Sequence, residues 1–404
     1  MSMRFWGLAG AVLLAGAFLL SCGSSGHTGF VYLASQGAQS VSAYSLNLNS
    51  GVLNSSNGGL IANGKSVPTG VQPTAMILNP AQTAGFVADY GSNDIVRFSI
   101  NKDGTLGTLG NTALKGPASH PVALAMDPGG KFLFVVDQGD PNHAAACTIQ
   151  DPAYPANCSA RVSVFTADSQ GGLSEVPNSP FPLLTLQEAA TFSAAISPTA
   201  LAVSNQGNFL YVTEQNNNIL VGFAFDGSSG ALSELTSTPV VVGVAPSAVH
   251  SPASGNFLYV ANAQSNDISE FTIDGTTGVL TPVAGSPVAS GVGPIGFTSI
   301  LTSANANTTY VYVINGQGSS ISSYTLNQVT GVLKPLNPAS VSTGSIPVAA
   351  TIRSNGQVAG NYWMLVSDNG GNAVTTFELT TSTGGLAALP QLVSPVAPFG
   401  IASR

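Results

Sequence analysis

The chain has 404 residues, 44% of them hydrophobic and only 7% charged, and its 10 Lys and Arg against 18 Asp and Glu give a formal charge of −8. No cluster of Lys or Arg occurs, which argues against nucleic acid as a partner and against recognition of anionic lipid by the folded part. Length alone would suggest two or three domains, yet an internal repeat after residue 29 points to a single domain that uses the whole remaining chain.

Residues 1–21 read as a secretory signal: Arg4 is the one charge, and the uncharged run from Phe5 to Leu20 is too short for a stable membrane span. The run ends on Leu19-Leu20-Ser21-Cys22, which resembles the bacterial lipobox. That resemblance implies lipidation of Cys22 and anchoring of an exported protein in a membrane through the lipid. Residues 22–29 then form a Gly/Ser tether.

From residue 30 to 404 four short strands, A to D, recur, each rich in β-branched and aromatic residues and bounded by Gly, Pro, Asn or Asp. The best copy runs from Pro246 to Val288. Three markers count the copies. A proline opens strand A at Pro73, Pro121, Pro198, Pro246, Pro294, Pro347 and Pro398. Strand C pairs a branched aliphatic with an aromatic three residues on, from Val41/Tyr44 to Val374/Phe377. Gly-x-Leu opens strand D, ending at Leu53, Leu106, Leu173, Leu232, Leu280, Leu333 and Leu386. Seven four-stranded antiparallel meanders predict an all-β, seven-bladed propeller. The chain starts without a strand A and ends on one, APFGIASR, so the C-terminal strand is expected to close the first blade.

Two residues beyond each marker proline stand Ala75, Ala123, Ala200, Ala248, Gly296, Ala349 and Gly400, small side chains where inner strands crowd one axis. The one conspicuous insertion, residues 138 to 160, holds Cys147 and Cys158, expected to pair in an oxidising compartment.

Connections from D to A and from B to C share one face, the mouth. There strand B ends at Ser35, Asp89, Asp137, Glu214, Asn262, Asn315 and Asp368. Turn capping by these side chains is the expected role, with cation binding as the alternative; no resident metal or other cofactor is called for. His120 precedes Pro121, with His143 and Arg161 in or beside the insertion above it, a set with the chemistry of a general base and an oxyanion partner or of plain loop decoration. His250, at the far end of a strand A, is expected to pack in the core or channel wall. The run Gly291 to Gly296 matches a dinucleotide-binding fingerprint in letters only, because it enters a strand.

The repeat text FLYVAN, NDISEFTID and TGVLTPVAGSPV resembles the seven-bladed lactonase family, which includes 6-phosphogluconolactonase, and the YVTN-type surface propellers. The lactonase resemblance implies a mouth with His and Arg side chains just after marker prolines and a Glu at the end of one strand B. Glu214 matches that Glu; Val122, Thr199, Ile295 and Val348 occupy the expected basic positions. Two functions are therefore carried forward for an expected monomer: binding of a protein, glycan or small molecule at the mouth, and lactone hydrolysis, a carboxylic ester hydrolase activity, by Glu214, His120 and Arg161.

Overall fold

Every regular element among the described residues is a strand, as the β-branched and aromatic runs require. The computed structural model describes residues 28–53, 66–115, 120–139, 160–183, 196–302, 308–354, 361–390, 392–393 and 397–404. Its strands form seven separate antiparallel sheets, each running from an inner strand A to an outer strand D. The inner strands are Pro73–Leu78, Pro121–Met126, Pro198–Val203, Pro246–His250, Pro294–Thr302, Pro347–Ser354 and Pro398–Ser403, and each touches the next, the last returning to the first. The molecule is a seven-bladed propeller.

Stacking covers both faces of each sheet, which explains runs such as Phe257–Asn262, buried at every position, where an open antiparallel sheet would alternate. The second strand of one blade also secures the next blade. The seven Gly-x-Leu glycines lie in turns at φ between +68 and +84°, a region other residues enter at a cost. They also lie beneath a residue near the start of the preceding blade's strand B. A Cβ on Gly230, for example, would come 2.7 Å from the Phe132 ring, and one on Gly331 would come equally close to Phe257. In consecutive blades the tyrosine two residues further on donates to that glycine's carbonyl: Tyr211 to Gly278 (2.7 Å), Tyr259 to Gly331 (2.6 Å) and Tyr312 to Gly384 (2.9 Å).

Closure follows the expected route. Pro398–Ser403 pairs with Thr28–Ser35, and Phe30 and Arg404 exchange two backbone hydrogen bonds of 3.1 and 2.9 Å. The first strand starts earlier than the sequence suggests: Thr28 and Gly29, read as tether, pair with Asn47 and Leu46.

Outer strands depart from a plain meander in the third, fourth, fifth and seventh blades, where strand D is in two pieces that both pair strand C. In the fifth, Leu280–Pro282 and Val288–Ala289 flank a turn containing Pro287, which has no N–H to offer the ladder. There the Glu270 amide donates to Ser286 Oγ at 2.8 Å instead.

Candidate functional site at the mouth

Each marker proline pairs in register with the last residue of its strand B, as in Pro73 with Asp89, Pro198 with Glu214 and Pro398 with Ser35. In all seven blades the register then slips by one, so the residue after the proline sits in a bulge before the small residue resumes pairing. The bulge residues are Thr74, Val122, Thr199, Ser247, Ile295, Val348 and Phe399. They point into the seam between neighbouring blades.

Three of them carry hydroxyls, and each hydroxyl donates to the carbonyl of the next blade's marker proline: Thr74 to Pro121 (2.8 Å), Thr199 to Pro246 (2.8 Å) and Ser247 to Pro294 (2.6 Å). Where the bulge residue is Phe399, Val122 or Val348, the amide one residue beyond strand B makes the same bond. Gln36 donates to Pro73 (2.8 Å), Gln138 to Pro198 (3.1 Å) and Asn369 to Pro398 (3.2 Å). Thus six of the seven proline carbonyls are held across a seam. The sixth blade has neither donor type, with Ile295 in the bulge and Gly316 after strand B.

The seven strand-end residues are all fully buried. Glu214 accepts hydrogen bonds from the backbone amides of Ser197 (2.7 Å), Asn216 (3.0 Å) and Asn217 (2.7 Å). Asp89 accepts from the Gly70 amide at 3.0 Å, and Ser35 Oγ from the Ala38 amide at 3.1 Å. Asn262 donates to Asp267 (2.7 Å) and Ser269 (3.0 Å); Asn315 donates to Ser320 (3.1 Å) and Ser322 (2.9 Å). Asp368 accepts from Thr375. Glu214, Asp89 and Ser35 hold amides of the adjoining connections, as turn caps do, whereas Asn262, Asn315 and Asp368 bond side chains of the facing strand C. Burial pushes Asp89 up to about 7 and Asp368 up to about 6, since the charged carboxylate loses more hydration than its few donors return. Among the described residues no three His, Cys, Asp or Glu side chains gather closely enough to hold a metal ion.

Asp137 is the exception in kind. Arg161, first residue of the facing strand C and paired in register with Asp137, sets its Nε 3.2 Å from the carboxylate, and both side chains are almost wholly enclosed. Burial still raises Asp137 to about 6, with Arg161 and, more weakly, His120 pulling it down. His120 Nδ1 lies 2.9 Å from the Tyr90 carbonyl, and its ring stacks on Tyr90 at 4.4 Å between centroids. So the structure brings Arg161 and His120 towards Asp137, while Glu214 stays with the amides of its own connections.

His143, Cys22, Cys147 and Cys158 lie outside the described residues. His250 is buried, stacked on Phe297 and 2.8 Å from Ser299 Oγ, and burial lowers its imidazole to about 4. In the described parts of the D–A and B–C connections, Lys115 carries the one full charge; Gln, Asn, Ser and Gly dominate, with exposed Val71, Val244, Val292 and Ile346.

The family described as Lactonase, 7-bladed beta-propeller matches this chain over residues 24–142 and 141–296. The chain belongs to that family. Among solved structures, a Bacteroides uniformis protein provisionally assigned as a 6-phosphogluconolactonase is 14% identical with a TM-score of 0.70, covering 94% of this chain and 100% of its own. The periplasmic gluconolactonase of Pseudomonas aeruginosa is 14% identical with a TM-score of 0.67, over 93% of this chain and 99% of its own. These likenesses show the fold. No curated protein sequence matches the chain. Against the lactonase expectation, Val122, Thr199, Ile295 and Val348 all stand in bulges, and the Thr199 hydroxyl is already bonded to Pro246 and Thr213.

Proposed function

We propose that this lactonase-family propeller is an exported, lipid-anchored binding module that takes a protein or glycan ligand at its mouth. The observation that carries this reading is the state of Glu214 and Thr199. The carboxylate accepts from three backbone amides and the hydroxyl bridges two blades, so neither is poised to meet a lactone carbonyl. Charge-poor connections with exposed aliphatics support binding, since interface cores are depleted in charge.

A second reading is lactone hydrolysis, favoured by family membership and by the approach of His120 and Arg161 to Asp137. In it His120 serves as base and Arg161 meets the oxyanion, with Glu214 in support. Lactone opening by the purified mature chain discriminates. On 6-phosphogluconolactone and gluconolactone the binding reading expects no turnover above background, because losing one oxyanion donor alone lowers rates roughly a hundredfold or more. Turnover that disappears in Glu214→Gln or His120→Ala establishes the second reading instead.

A further inference from the structure

The two ends of the propeller axis differ in how many charged residues they carry and in their distance along the chain from Cys22. Thr28–Ser35 begins at the end opposite the mouth and finishes at the mouth, where Ser35 pairs with Pro398. Cys22 stands six residues before Thr28. Fully extended, six residues reach about 20 Å, less than the roughly 25 Å that an eight-residue strand covers from one face to the other. A lipid on Cys22 therefore cannot enter a bilayer that the mouth touches, because the tether would have to traverse the full height of the blade and its rim as well.

We propose that the face opposite the mouth lies against the membrane and that the mouth points away from it. This rests on lipidation of Cys22. The membrane-side face consists of A–B and C–D turns. Among the described residues its exposed large aliphatics are Val52, Val279 and Val329, the last 89% exposed, each placed in or beside a C–D turn. The same turns carry Asp103, Asp168, Asp226 and Asp274, whose carboxylates cap their own turn amides and are held below the usual range by those bonds. They stay ionised. Lys102 stands in the Asp103 turn, Lys131 donates to the Gly227 and Ser228 carbonyls and Arg404 to the Asn101 carbonyl, so this face carries both signs of charge around apolar tips, which suits a zwitterionic lipid surface.

The acylated full chain, reconstituted on phosphatidylcholine vesicles, tests this. A nitrobenzoxadiazole-bearing residue replaces Val52 or Val329 on one face, or Val244 or Val292 at the mouth, and spin-labelled lipid serves as quencher. Quenching at 52 and 329 is expected to exceed that at 244 and 292 several-fold. Equal quenching on both faces, or stronger quenching at the mouth, overturns the orientation. Twenty Gly/Ser residues inserted after Gly23 should shrink the difference; an unchanged difference overturns the reach argument. An N-terminal peptide without acyl mass, on a chain that does not float with vesicles, removes the anchor itself and leaves mouth binding untouched.

Discussion

Trp363 of the seventh blade covers Gly51 of the first: a Cβ on Gly51 would collide with the indole ring, whose Nε1 donates to the Leu48 carbonyl at 2.9 Å. The same arrangement of a strand B residue over a turn glycine joins all the other neighbouring pairs. At this seam it joins blades more than 300 residues apart in sequence, so it works together with the C-terminal strand to hold the ring shut.

Removal of residues 397–404 should therefore unfold more than one blade. It strips Thr28–Ser35 of its inner partner and exposes Val31, Tyr32, Leu33 and Ala34, which are fully buried. A melting temperature about ten degrees lower, which at about 2.1 cal/mol/K per residue corresponds to a loss on the order of 8 kcal/mol in a domain of this size, is the expected outcome. Calorimetry showing melting within two or three degrees of the intact chain would exclude the clasp.

Thr199→Val keeps the shape and removes the bond to Pro246. A buried carbonyl left without its donor costs about 1–3 kcal/mol, so chemical denaturation should show a loss of that size, with Thr199→Ser close to the parent. Val122→Thr should change little, because Gln138 already holds Pro198 across that seam. Equal stability of the Thr199→Val and Thr199→Ser variants would mean that the seam bond contributes nothing.

Arg161→Met leaves the buried Asp137 without its cation, a change that typically costs about 3–5 kcal/mol. Adding Asp137→Leu should restore much of the loss, since a buried pair replaced by apolar groups is often neutral. If the double variant is no better than Arg161→Met alone, the two side chains do not depend on each other.

Stability should rise as pH falls from 8 to 6.5. Asp89 has a folded value of about 7 against an ordinary 3.8, and Asp137 and Asp368 lie near 6, so the folded state holds protons that the unfolded chain releases. That contribution is complete below the unfolded values and is lost as pH climbs through 6 to 7. His250 acts in the opposite sense, because its folded value of about 4 makes stability decline as pH drops from 6.5 to 4. Melting temperatures at pH 8 and 6.5 check this, and Asp89→Asn should flatten the difference.

Much of the fold was legible because each marker has a mechanical task. The prolines set the register with strand B, the turn glycines lie under a neighbour's side chain, and Gly400 would bring a Cβ within 3.3 Å of Met76. At Gly296 the added atom would meet only ordinary contacts of 3.7 Å or more, so crowding does not account for that glycine. The site was less legible. Asp, Asn and Glu at strand ends look alike in sequence whether they face solvent or bend back to cap a turn, and only the folded arrangement shows that Glu214 does the latter. The Asp137–Arg161 pair was available, because the last residue of strand B and the first of strand C face each other in every blade. The seam bonds left a fainter trace: an amide follows strand B at Gln36, Gln138 and Asn369, where the bulge residue is apolar.

The two hydrogen bonds between Phe30 and Arg404 bring the ends of the described chain side by side. Sequence order is then a matter of where the circle is cut. A permuted chain that joins Arg404 to Thr28 through a few glycines and opens between Gly139 and Ala160 keeps every described strand and every seam. Its new start emerges at the mouth, so a lipid attached there would give the orientation opposite to the one proposed above for the natural chain order.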